Sequence, residues 1–280
     1  MATAFESIAS ATVEAGSTIT ITKPSGVVSG DLMIAIIGAA SADTAASLAG
    51  WTVSRDTASE PFRVTALFRV AGGSEGTDYT FDSAADGQAK IGCIVRISGA
   101  AFSGAANIVV PDNFSAVGST ATPTYANPIT QATSGILLYG ALAYAQVTTT
   151  DQAITNDNPT WTERLDLQYN ATEDVSLSLA TATATADSST GNQTLTLSGA
   201  AQSMGFIISV KENTNVTVSP AVITITASIP APTVTGNADV SPAVITITAS
   251  VQAPTVTTAA AKWSNTQKSS APSWSNTQKS

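Results

Sequence analysis

The sequence predicts an all-β protein: a two-sheet, jelly-roll-like β-sandwich built from two similar halves and followed by a short repeated β-strand extension. Three observations carry that prediction. Apolar and polar residues alternate with period two in "STITITKP", "FRVTALFRVA", "VSLSLATATAT" and "QTLTLSG", the pattern of strands with one buried face. Clusters of Gly, Asp, Asn and Ser separate these runs at about the spacing of sandwich or barrel strands. Blocks of the chain also recur in the same order.

The recurrence runs as follows. "SGDLMIAIIGA" at Ser29 aligns with "SGILLYGALAY" at Ser134, "GWTVSRDTAS" at Gly50 with "TWTERLDLQY" at Thr160, and "GQAKIGCIVRIS" at Gly87 with "AAQSMGFIISVK" at Ala200. The separation grows from 105 through 110 to 113 residues, so order is kept while loops lengthen, as expected of a diverged duplication. Each half supplies about five or six strands. "DLMIAIIGA" and "GILLYGALAY" are apolar on both faces, which predicts central strands covered on both sides. A set this thin cannot bury both of its faces alone, so the halves are expected to pack as one two-sheet body with pseudo-twofold symmetry.

The predicted organisation is a sandwich knob over residues 1–213, with halves at about 1–104 and 121–213, joined by a long surface connection rich in small residues. Residues 214–261 hold two copies of a 22-residue unit, one starting at Val218 and one at Val240, each opening with "VSPAVITITAS". Prolines punctuate each copy, which suits strand starts and edges. Ile223 and Ile225, repeated as Ile245 and Ile247, form an apolar stripe opposite threonines. Two short hairpins cannot cover such a stripe within one chain. It is therefore expected to be an oligomer interface, with a homotrimer the expected assembly. Residues 262–280 carry "WSNTQKS" twice, so Trp263 and Trp274 read as aromatic anchors of a docking tail.

Composition narrows the function. The 280 residues carry a formal net charge of −9 and no cluster of Lys or Arg, so nucleic acid is not an expected partner. The apolar runs are shorter than the roughly 20 residues of a membrane span. "MATAFESIAS" has neither a basic leader nor an apolar core, so the protein is expected to start in a cytoplasm. The single cysteine, Cys93, lies in a strand-like apolar run and reads as a buried small hydrophobe.

Catalytic signatures are missing from the sequence. There is no histidine, which removes Ser-His-Asp and Cys-His chemistry and most zinc sites. "AGGSEGTD" at Ala71 lacks the ending of a phosphate loop and reads as a turn. Asp82 with Asp86, and Glu173 with Asp174, are acidic pairs whose spacing fits a solvated loop better than a glycosidase pair or a calcium site. Arg63, Arg69, Arg96 and Arg164 are scattered along strands as polar-face residues. No catalytic, cofactor-binding or metal-binding residue is assigned, and the chain reads as a non-enzyme. Trp51 and Trp161 occupy matching places in the two halves, either as apolar anchors of core or rim or, where exposed, as a glycan contact.

"SGDLMIAIIGA…GWTVSRDTAS…FRVTALFRVAGGSEGTDYTF", followed by "PTWTERLDLQY", resembles a group of bacteriophage minor structural proteins. The "VSPAVITITASIPAPTVT" and "WSNTQKS" copies are similar to tails of predicted phage virion proteins. The resemblance covers nearly the whole chain. It implies a virion component assembled in the host cytoplasm, such as a head fibre, decoration protein or tail appendage. Its implied partners are itself, other virion proteins of capsid, collar or tail, and a host-surface glycan. The alternative reading, from another class, is a carbohydrate-binding module of a surface or secreted protein.

Overall fold

A computed structural model describes residues 3–211, apart from 42–43, 60–61, 84–87, 100–101, 103, 110–114, 126–128, 132–133, 145–152, 155–158, 170–174 and 186–187. The chain divides into two units, Met1–Ser219 and Pro220–Ser280, and every described residue belongs to the first. The expected interface residues Ile223, Ile225, Ile245 and Ile247 and the expected anchors Trp263 and Trp274 lie outside the described residues.

The first half holds β1 (Ala4–Val13), β2 (Thr18–Thr22), β3 (Leu32–Ala39), β4 (Thr52–Ser59), β5 (Phe62–Val70), β6 (Asp78–Asp82) and β7 (Lys90–Ser98). After a 3₁₀ turn at Ala105–Asn107, the second half opens with β8 (Ile108–Val109), β9 (Ser115–Thr120), β10 (Thr124–Tyr125), β11 (Thr130–Gln131) and β12 (Gly135–Tyr144). It continues with β13 (Ala153–Ile154), β14 (Thr162–Tyr169), β15 (Val175–Ala184), β16 (Ser188–Ser189), β17 (Gln193–Thr196) and β18 (Ala201–Lys211). All the pairings are antiparallel.

The halves repeat one nested, jelly-roll-like plan. The first large sheet runs β1-β7-β3-β5-β4, and the second runs β14-β15-β12-β18-β8, with β9 also on β18. Outside each sheet lies a thin ribbon, β2-β6 on the first and β10-β17-β13 on the second. Even the irregularities match. Ser54 is the extra residue between β4 and β5, and Arg164 is the extra residue at the same place between β14 and β15. Thr20 faces Thr80 across the first ribbon with their hydroxyls 2.9 Å apart, and Thr124 faces Thr194 across the second at 3.2 Å.

The large sheets pack face to face, with β1 over β14 and β7 over β15. Their shared layer takes Leu32, Ile34 and Ile36 from β3 and Ile136, Leu138 and Leu142 from β12. The opposite faces of the same strands are also buried. Met33, Ala35 and Ile37 lie under Ile19, Ile21 and Phe81 of the first ribbon. Leu137, Tyr139 and Ala141 lie under Tyr125 and Leu195 of the second. Continuous apolarity along β3 and β12 thus reflects two cores per strand. Neither half buries both faces of its sheet alone, as the thinness of each set implied: its own ribbon covers the outer face and the other half covers the inner one.

The strand register also corrects the sequence alignment of β3 with β12. Pairing with the neighbouring strands makes Leu32 equivalent to Ile136 and Ile34 to Leu138, one residue away from the match of Ser29 with Ser134. A one-residue slip would turn each core side chain to the wrong face, so the buried pattern fixes the register. Once it is fixed, complementary volume changes emerge. Ile36 faces Cys93 in the first half, and Gly140 faces Phe206 at the equivalent place in the second. A Cβ on Gly140 would lie 2.2 Å from the Phe206 ring. The glycine is what lets the ring lie flat on the strand.

Candidate functional site

One asymmetry between the halves is a cleft of about 510 Å³ where β1 crosses β14, with β15 residues in its wall. That volume lies within the roughly 300–1,000 Å³ range of small-molecule sites. Bulges build its rim. In β14 the alternation breaks at "TER", because Arg164 is the unpaired extra residue, and a bulge re-aims its side chain toward the cleft. In β1 a second bulge falls between Phe5 and Ser7. The Arg164 guanidinium carbon lies 4.3 Å from the Phe5 ring centroid, a cation–π contact that joins the halves. Arg164 Nε donates to Thr181 Oγ1 at 2.8 Å. Stacking and this bond hold the guanidinium plane in one orientation.

Threonines furnish much of the rest of the wall: Thr3, Thr160, Thr162 and Thr183 join Thr181. Thr3 Oγ1 is buried and makes no hydrogen bond among the described residues. No Asp or Glu is among the lining residues. The matching place in the first half is closed. Thr52 pairs with Phe68 as Thr162 pairs with Thr181, so Phe68 is the counterpart of Thr181. Phe68 is buried in the shared core, and a Cβ on Gly104 would lie 3.7 Å from its ring.

Several charged groups elsewhere are tied into structure. Asp56 takes two bonds from the Arg63 guanidinium, one at 2.8 Å, and a third from Thr65. Burial pushes its pKa up, but these donors and the charges of Arg63 and Arg55 outweigh burial and leave it below the ordinary value. Glu75 behaves likewise: burial raises its pKa, while the Gly72 N–H, the Tyr79 hydroxyl and Arg69 bring it below the ordinary value. Tyr79 is raised, first by burial and then by Glu75. Asp31 accepts from Arg96 Nε at 2.6 Å and from the Val28 N–H. Cys93 is fully buried, and burial pushes its thiol up to about 12, so it has no nucleophilic character at neutral pH. Asp82 closes β6, where its backbone exchanges bonds with Ser47. Asp86, Glu173 and Asp174 lie outside the described residues. No group of three or more His, Cys, Asp or Glu that could hold a metal occurs among the described residues.

Trp51 and Trp161 occupy matching places, but on opposite outer layers. Trp51 is 8% exposed and meets Tyr79 and Phe81 edge to face, each with ring centroids at 5.2 Å. Trp161 lies 5.6 Å from Tyr139 and donates Nε1 to Gln193 Oε1 at 2.8 Å. Both serve as anchors between ribbon and sheet, and together they form no common aromatic face.

Sequence reasoning passed over Arg164 as one of several scattered arginines. A signal was present in the two consecutive polar residues Glu163 and Arg164, which interrupt alternation before Leu165, Asp166 and Leu167 restore it. Its meaning depended on β1, which lies far away in sequence.

Fold and cleft define the class: a duplicated, four-layered β-sandwich with a hydroxyl-rich seam. No family model, curated protein or solved structure matches the chain. No helix among the described residues is long and apolar enough to cross a membrane.

Proposed function

We propose that the chain is a non-catalytic structural protein of a bacteriophage virion, a fibre, appendage or decoration protein assembled in the host cytoplasm. Its C-terminal repeats oligomerise it as a homotrimer and attach it to capsid, collar or tail proteins, while the sandwich is displayed for contact with the host surface. The observation that carries this reading is the letter-for-letter repeat of "VSPAVITITAS" after a self-contained sandwich. A repeated isoleucine stripe with little else to cover it calls for other chains. The closed cores of the sandwich also fit a display unit that does not need the repeats to fold.

Deletion of residues 214–280 tests this division. Light scattering is expected to show the full chain as an oligomer and the truncated sandwich as a folded monomer that fails to enter particles. An unchanged oligomer overturns the role given to the repeats. The second reading, a carbohydrate-binding module, draws its support from the cleft at Arg164, because Trp51 and Trp161 share no face.

A further inference from the structure

We propose that the cleft between β1 and β14 is a binding site for a carboxylate-bearing sugar, with Arg164 holding the carboxylate and the threonines pairing with ring hydroxyls. The assignment deepens the adhesive part of the function proposed above and takes its ligand source, an acidic surface glycan, from that reading.

The chemistry follows from the geometry. The guanidinium is fixed twice, by the Phe5 ring beneath it and by Thr181 at Nε. Its two terminal nitrogens form the fork that matches the two oxygens of a carboxylate. A guanidinium already oriented loses little freedom on binding. No carboxylate lines the cleft to neutralise it. The net charge of −9 acts over longer distances and is screened beyond roughly 8 Å at physiological salt. Threonine hydroxyls both donate and accept, as a sugar ring requires, and Thr160, Thr162 and Thr183 line the cleft beside Arg164. Ile136, Pro159, Ala4 and Ala182 give the apolar wall against which C–H faces of a ring can lie. The cleft also has a built-in control, since the duplicate position is filled by Phe68.

Isothermal titration of the full chain with sodium glucuronate, glucose and acetate tests the proposal. Glucuronate is expected to bind with Kd on the order of 1 mM, and glucose and acetate at least about tenfold more weakly, the loss of about 1.4 kcal/mol each. Arg164→Gln is expected to weaken glucuronate at least about tenfold, with Arg164→Lys in between because it keeps charge without the fork. Thr181→Phe, which copies the first half, is expected to abolish binding while circular dichroism stays unchanged. It keeps the test decisive should Arg164→Gln fail to fold. Absence of glucuronate binding, or binding indifferent to both substitutions, overturns the site; equal binding of acetate and glucuronate overturns the sugar. None of these outcomes bears on oligomerisation, so this site and the role of the repeats fail separately.

Discussion

The first half closes its end of the sandwich seam with Phe68, whereas the second places Thr181 there and leaves a cleft beside Arg164. The same contrast extends through the duplicate. In the first half, charged pairs fasten the sheet: Asp31 with Arg96, Asp56 with Arg63, and Glu75 with Arg69. At the corresponding register the second half has Gly135 in place of Asp31 and Ser209 in place of Arg96, Asp166 kept but Ser176 in place of Arg63, and Ala182 in place of Arg69. Backbone plan and bulges persisted while side chains diverged. A duplicated scaffold lets one copy keep a closed seam and a cross-linked outer face and frees the other to open.

The sharpest way to break this comparison is to ask whether the halves fold as one. Leu138→Ala removes a fully buried side chain from the layer that both sheets share. It is expected to cost about 2–5 kcal/mol. In urea, circular dichroism and tryptophan fluorescence should shift together, as a shared core demands. Two separated transitions would contradict a common core.

Matched glycines give a smaller contrast. Gly92 and Gly205 stand at equivalent places in β7 and β18, each beneath its ribbon. A Cβ on Gly205 would lie 2.4 Å from the Tyr125 ring, but on Gly92 its closest contact would be Ile37 Cδ1, the end of a flexible side chain, at 2.8 Å, with Ile21 Cδ1 and the Ile36 carbonyl oxygen each at 3.1 Å. Gly205→Ala is therefore expected to cost about 2–3 kcal/mol and Gly92→Ala about 1 kcal/mol. Equal midpoints in denaturant melts would remove the claimed difference in packing.

Acid provides the smallest effect. Asp56 and Glu75 have folded pKa values below their ordinary values of 3.8 and 4.5. A depressed carboxyl contributes stability that is fully present above its unfolded pKa and lost as pH falls through the folded one. Hydrogen exchange should therefore show protection of β4, β5 and β6 falling first below about pH 4, ahead of β14 and β15. Simultaneous loss, or loss beginning with β15, would count against the first half's reliance on these pairs.

Much of this plan was legible in the chain. Alternation located β2, β5, β15 and β17, and the doubled apolarity of β3 and β12 marked strands covered on both sides. The Trp51 and Trp161 blocks aligned correctly, because β4 and β14 carry the same bulge. The match of β3 with β12 slipped by one residue. Strands apolar on both faces have no polar side to fix their phase, so only pairing partners could set it. Ribbon and sheet could not be told apart either, since "STITITKP" alternates in the same way whether it joins a large sheet or covers one.

Local pattern by itself determined that the chain is built of strands, that it is duplicated, and that its end repeats, because period and identity are properties of neighbouring residues. The tertiary structure alone decided that each half carries two cores and that one seam is closed while the other is open. Those features depend on residues such as Phe5 and Arg164, distant in sequence and joined only when β1 is laid across β14.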